Sequence, residues 1–216
     1  MLLGAVMPDS TLTAWKEFFD GAGAYFGQGT RPLILDSWKR SRAAGVAATP
    51  AKTLLCKVDA RDLEHRIARN ASLLAVAMPI LAAFSQSFGD LNHVVYLTDR
   101  EGIVLYSVGN ATEMLIQGLV PGYDWSERTM GTNGAGTALA TGQPVAVIGP
   151  EHYQLPFHGA ICLGAPIRDV NERLIGAIDF STRVDRANPA QLSDIIRIAQ
   201  EIEAALASAC AVIATP

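Results

Sequence analysis

Little in this chain points to covalent or metal chemistry of the common kinds. Its three cysteines in 216 residues, Cys56, Cys162 and Cys210, lie far apart. Neither a disulfide framework nor a Cys-x-x-Cys metal knuckle follows from that spacing, which suits a reducing compartment. Basic residues are outnumbered, 17 against 21 acidic ones, and the formal net charge is −4. That is the wrong sign for a domain that grips nucleic acid unaided. No apolar run reaches the roughly 20 residues of a membrane span. Residues 1–7 are apolar but lack the basic flank and the length of a secretory signal. The expectation is a cytoplasmic chain with no membrane contact, in which the sequons at Asn70 and Asn110 are chance. Internal repeats and low-complexity tracts are missing too. What remains is half hydrophobic and 18% charged, enough for a sizeable core. The length fits one large domain, or one domain with an extension.

Residues 121–151 carry the densest pattern. Gly131-Thr-Asn-Gly-Ala-Gly-Thr137 has the glycines of a phosphate loop but no Lys after the last of them. The dinucleotide fingerprint fails as well, because the glycines fall as GxxGxG and no strand leads directly in. A helix start fits better: Asp124 or Ser126 as cap, Glu127 near the positive helix end, and small residues for close packing. Residues 137–141 then form a short helix ended by Gly142, and 143–148 a β-branched strand.

Periodicity supplies the rest. Trp15, Phe18 and Phe19 mark a first helix over 11–25, and Pro32 opens a second containing Trp38. Lys39, Arg40 and Arg42 on that second helix read as a solvated basic face in preference to a contact with DNA or an acidic partner, given the overall acidity. Residues 62–88 give the strongest helical signal, kinked or split at Pro79. Residues 93–98 and 103–107 form a hairpin around Asp99-Arg-Glu-Gly102. A short helix over 113–119 follows. A second hairpin pairs 160–168 with 173–181, and Asn171 is expected to take the left-handed position in its turn. A helix over 189–210 carries an apolar stripe from Leu192 to Leu206. Hairpin-linked strands with helices around them make an α+β layered domain with an antiparallel sheet of about five or six strands.

An ordered set of elements resembles a GAF sensor domain: Trp125-Ser-Glu, Gly131-Thr-Asn, Gly136-Thr-Ala-Leu, Pro144-Val, Glu151-His152, Cys162, Ala165-Pro-Ile167 and Leu174-Ile-Gly176. The likeness is to the N-terminal GAF domains of sigma-54-dependent activators of the acetoin-catabolism type. Ser37-Trp-Lys-Arg-Ser41 with Gly45 resembles the element that precedes such domains, and the resemblance runs from about residue 33 to 206. It implies a PAS-related fold over 61–210, an N-terminal helical extension over 1–60 and a tail over 211–216. It implies further a small-molecule pocket between the sheet and the 125–137 region. Tyr96, Tyr123, Trp125, Thr129, Thr132, Asn133, His152, Tyr153, Phe157, Cys162 and Asp179 are the expected ligand-binding residues, a mixture of apolar walls and a few polar groups. Trp125 and His152 approach the site from opposite sides of the 131–137 segment in sequence. The implied partner is a small organic effector, with signalling through flanking helices to an output domain outside this chain. A homodimer through the N- and C-terminal helices is expected, because nothing downstream covers the 189–210 stripe.

Other chemistries stay open. Glu151, His152, His158 and Cys162 are metal-ligand types close in sequence, at a spacing that matches no zinc pattern. Cys162 near a His is a candidate thiolate for a reductase, but its apolar strand favours a small core residue. Asp179, amid apolar residues, needs a partner, for which Arg168 or Thr182 is available. A histidine-kinase input module, or a GAF fold kept only for dimerisation, are further readings. No nucleophile, base and oxyanion set is composed, so the chain is read as a non-enzyme without cofactor or metal.

Overall fold

Asp99 organises the first hairpin in the computed structural model, which describes residues 8–20, 29–50, 55–89, 91–186 and 188–213. Its Oδ1 accepts from the amides of Glu101 and Ile103, and Gly102 sits at φ 91°. This turn joins β1 (His93–Asp99) to β2 (Val104–Gly109). With β3 (Val145–Ile148), β4 (Ala160–Arg168) and β5 (Leu174–Arg183) they form one five-stranded sheet of order β2-β1-β5-β4-β3, every pair antiparallel. The turn between β4 and β5 differs from expectation. Glu172 itself, not Asn171, takes the left-handed φ of 61°, while Asp169 Oδ1 accepts from the amides of Asn171 and Arg173 and holds the loop.

One face of the sheet carries α4 (Ala71–Gln86) and α8 (Leu192–Ile213). Leu74, Leu81 and Phe84 meet Ile195, Ile202 and Leu206 over Val95, Leu163, Ile178 and Phe180. The α8 stripe is therefore covered by the chain's own sheet, which removes the argument that assigned it to a dimer. The break in the long 62–88 helix falls at Asn70, between α3 (Ala60–Arg69) and α4, where the axis bends by 84°. Asn70 Nδ2 donates to Arg66 O and closes α3, while α4, packed on the sheet, continues unbroken through Pro79. No single described helix is long and apolar enough to cross a membrane.

The other face carries α7 (Gly134–Thr141), with α5 (Ala111–Gln117) and α6 (Glu127–Met130) beside it. Toward β3, helices α1 (Pro8–Asp20) and α2 (Pro32–Ala43) complete the layer. Trp15, Phe18, Ile34 and Trp38 share a cluster with Val145, Val147 and Cys162, so the N-terminal helices are built into the same core as the sheet. The expectations for residues 1–7, 21–25 and 214–216 lie outside the described residues.

Candidate functional site

Strand register sets the centre of the α7 face. Tyr96 on β1 stands opposite Asp179 on β5, which stands opposite Gly164 on β4. The first turn of α7 lies directly on this row. A Cβ at Gly164 would fall 2.2 Å from Gly134 O, and one at Gly134 would fall 1.7 Å from Asp179 Oδ2. Only glycine permits that approach. This helix is capped by Asn133, while Ser126 is the N-cap residue of α6, with Glu127 in its first turn. Asn133 Oδ1 accepts from Gly136 N at 2.8 Å, and its Nδ2 donates to Trp125 O and Gly131 O. Asp124 instead accepts from Ser126 N and from the Thr129 hydroxyl.

From Asp179 a line of polar groups crosses the sheet. The Ser181 hydroxyl donates to Asp179 Oδ1 at 2.5 Å, Ser181 Oγ lies 3.2 Å from Cys162 Sγ, and Cys162 Sγ lies 3.2 Å from His152 Nε2. His152 Nδ1 is 3.0 Å from Gly149 O, so Nδ1 carries the ring proton and Nε2 is the acceptor. All four side chains are buried. Burial pushes Asp179 up to about 7, against the opposing pull of its hydrogen bond from Ser181. Burial likewise pushes His152 down to about 4 and the Cys162 thiol well up.

Two atoms in this cluster have no partner. Tyr96 Oη and Asp179 Oδ2 are both buried and unpaired. Burial and the nearby carboxyl hold the Tyr96 phenol well above its ordinary value. The Ala135 amide, in the first turn of α7, lies near both groups and favours their charged forms without closing a hydrogen bond to either.

Beside this cluster, at the end of the sheet, opens a cavity of about 370 Å³, with Asn92, Val94, Glu113, Ile116, Phe157 and Ser181 among its walls. Ser181 joins it to Asp179. Phe157 joins it to the aromatic side, with ring centroids 5.5 Å from Trp125 and 6.3 Å from His152, and Trp125 in turn lies 6.0 Å from Tyr96. Trp125 Nε1 donates to Gly118 O, which fixes the indole.

The expected site residues thus divide. Tyr96, Trp125, His152, Phe157, Cys162 and Asp179 come together. Trp125 and His152 share Phe157 as a ring neighbour. Thr132 joins a separate network in which Glu127 accepts from Ser37, Arg40 and Thr137. Asn133 is a cap. Thr129 serves α6, Tyr123 packs beside Lys57, and Tyr153 turns its ring to Phe19. Asp179 pairs with Ser181, while Arg168 bonds Gly142 O and Glu172 O, and Thr182 bonds Asn92 O. Strand alternation puts Ser181 on the same face as Asp179, a signal that would have found it. Glu151, His152, His158 and Cys162 do not converge: Arg31 holds the Glu151 carboxylate and His158 Nε2 faces His152 O. Cys56 is half-buried and makes no disulfide with Cys162. Two of the basic residues on α2 are structural as well, Arg40 bonded to Glu127 and Arg42 stacked on Phe18.

The helices α1 and α2 grip the segment that presents His152. Trp38 Nε1 donates to Glu151 O at 2.8 Å, Trp15 Nε1 donates to Tyr153 O at 3.0 Å, and Arg31 forms a two-pronged pair with Glu151. Backbone on both sides of His152 is therefore tied to the N-terminal helices. Arg31 carries no sequence signal for this role, since its partner lies 120 residues away.

A family model described as the MimR N-terminal domain matches residues 8–203. The chain is similar to the propane 2-monooxygenase operon transcriptional activator MimR of Mycolicibacterium smegmatis, 35% identical over 179 residues that cover 81% of this chain and 29% of that protein. It is similar to the acetoin dehydrogenase operon transcriptional activator AcoR of Bacillus subtilis, 31% identical over 201 residues that cover 91% of this chain and 33% of that protein. It spans about a third of the length of such relatives. Among solved structures, the Escherichia coli DhaR(N)–DhaL complex contains a chain with a TM-score of 0.80 at 19% identity, covering 86% of this chain and 63% of that one. That likeness is one of fold, and it is the GAF-like fold the sequence resembles.

Proposed function

The chain belongs to the family of MimR N-terminal domains, and from that premise we propose that it is the effector-sensing input domain of a bacterial transcriptional activator acting in the cytoplasm. The relatives are transcriptional activators and not enzymes. A small organic molecule entering the cavity is the signal in this reading, and a sigma-54-dependent output domain is the recipient. The observation that carries it is the continuity from cavity wall to N-terminal helices. Ser181 lines the cavity and touches Cys162, Cys162 touches His152, and the residues flanking His152 are held by Trp15, Trp38 and Arg31. An effector that prefers one position of this line shifts α1 and α2 by its differential affinity for the two arrangements.

A protein partner is the second reading, since the structurally similar DhaR(N) is seen in complex with DhaL. The homodimer expected from the sequence loses the stripe that motivated it, because α8 buries that face on its own sheet.

Thermal-shift screening of small alcohols, ketones, diols, phenols and organic acids tests the proposal. A binder at a hundred times its dissociation constant adds about 2.7 kcal/mol. Ala160 lines the cavity. An Ala160→Leu variant with unchanged melting is expected to lose the shift. No binder in the series, or a shift that survives cavity filling, contradicts the effector reading and favours a protein partner.

A further inference from the structure

The two unpaired atoms define what the site asks of its occupant. Tyr96 and Asp179 are cross-strand partners on β1 and β5, and their Oη and Oδ2 atoms are both buried and neither hydrogen-bonded. Buried polar groups are rarely left without a partner, and an orphan at such a place calls for a missing one. These two have complementary needs. The phenol carries a proton to donate. The Oδ2 atom is an acceptor, since Ser181 already engages Oδ1. A ligand oxygen that both accepts and donates satisfies the pair, and a hydroxyl is the smallest neutral group that does so. A ketone can accept from Tyr96 but leaves Asp179 Oδ2 bare. A carboxylate adds a like charge to a buried carboxyl and is excluded on that ground.

The cavity reaches this pair through single residues. Behind Ser181 stands Asp179. Behind Phe157 stands Trp125, and behind Trp125 stands Tyr96. Phe157 is half-buried on the short turn Leu155–Phe157, followed closely by Gly159, where an added Cβ would meet nothing within 4 Å. Its ring stands in the wall between cavity and pair.

We propose that the effector is recognised through a hydroxyl group that bridges Tyr96 Oη and Asp179 Oδ2, with Phe157 turning aside to admit it. This rests on the effector reading above and names its ligand class: a neutral, small, hydroxylated molecule with an apolar body.

A matched set tests it: 2-butanol, 2-butanone and butanoate, each titrated against the 216-residue chain and its variants by thermal shift and calorimetry. The wild-type chain binds 2-butanol about tenfold or more tighter than 2-butanone, the penalty for leaving a buried acceptor unpaired, and does not bind butanoate. Asp179→Asn offers an amide donor where Oδ2 stood, so its preference moves to the ketone. Tyr96→Phe weakens 2-butanol about tenfold and keeps the wild-type melting temperature or raises it. If none of the three compounds binds the wild-type chain, the hydroxyl assignment falls, and the effector reading falls with it only when the wider screen also yields no binder. If compounds bind without favouring the alcohol, or Asp179→Asn keeps the wild-type preference, only the hydroxyl bridge is overturned. A lower melting temperature in Tyr96→Phe means that Oη already has a partner, which also overturns it. Should Asp179→Asn not fold, the Tyr96→Phe arm decides alone.

Discussion

Replacing Tyr96 by Phe is expected to make the unliganded chain more stable, the reverse of the usual outcome for a core substitution. The change removes one oxygen and leaves the ring, with its contact to Trp125 at 6.0 Å, in place. That oxygen has lost its hydration and gained no hydrogen bond. A buried hydroxyl in that condition costs about 1–3 kcal/mol, and deleting it returns most of the sum. The dispersion lost with a single atom is a few tenths of a kcal/mol, so it does not change the sign. A net gain of about 1–2 kcal/mol follows, or roughly 2–8 °C in melting temperature for a chain of this size. Urea unfolding followed by circular dichroism measures it, with an unchanged slope showing that the unfolded state is not altered. A loss of about 1 kcal/mol or more refutes the reasoning, because only a satisfied hydroxyl costs stability on removal.

Asp179 and His152 oppose each other in pH dependence. The Asp179 value is raised to about 7, so its contribution is complete in acid and is lost as pH rises from about 4 to 7. The His152 value is lowered to about 4, so its contribution is complete above about 6.5 and is lost as pH falls toward 4. The wild-type chain is accordingly flat between pH 4 and 6.5, while Asp179→Asn loses up to about 3 kcal/mol toward acid and His152→Gln loses a similar amount toward neutrality, read from urea midpoints across pH. Arg31→Met leaves the Glu151 carboxylate buried without its partner. A destabilisation of about 2–3 kcal/mol is expected, below the full buried-pair figure because Arg31 is partly exposed; no loss in a melt at neutral pH argues against the clamp. The Cys162 thiol, held protonated by burial, is expected to react with a thiol reagent only as the chain unfolds. Cys162→Ala should cost about 1–2 kcal/mol in the same urea melts, and fast labelling of the native chain contradicts the buried assignment.

The sequence made the hairpins legible because their turns are local. Asp99-Arg-Glu-Gly102 needs one left-handed residue and supplies a glycine for it, so the pairing of β1 with β2 follows from a few adjacent positions. The β4–β5 turn was harder, because Glu172 tolerates a strained φ that tertiary pairing imposes. Pro79 misled for a related reason: propensity asks for a break, and packing of Leu81 and Phe84 on the sheet overrides it. The site was half legible. Family resemblance brought Trp125, His152 and Cys162 to one face, but the same list included Asn133 and Thr129, whose polar atoms serve helix ends. Ser181 was overlooked despite its alternation with Asp179. The clamp on Glu151 and Tyr153 could not be read at all, since Arg31, Trp38 and Trp15 reach it across more than a hundred residues.

The central claim is that occupancy of the cavity is felt by α1 and α2, and the three indole N–H signals test it directly. Trp125 donates to Gly118 O beside the cavity, while Trp15 and Trp38 donate to Tyr153 O and Glu151 O on either side of His152. Titrating a binder from the screen into uniformly nitrogen-15-labelled chain should move all three signals along one saturation curve, and Ser181→Ala should leave the Trp125 shift while reducing those of Trp15 and Trp38. A binder that moves Trp125 and leaves Trp15 and Trp38 in place in the wild-type chain contradicts the account.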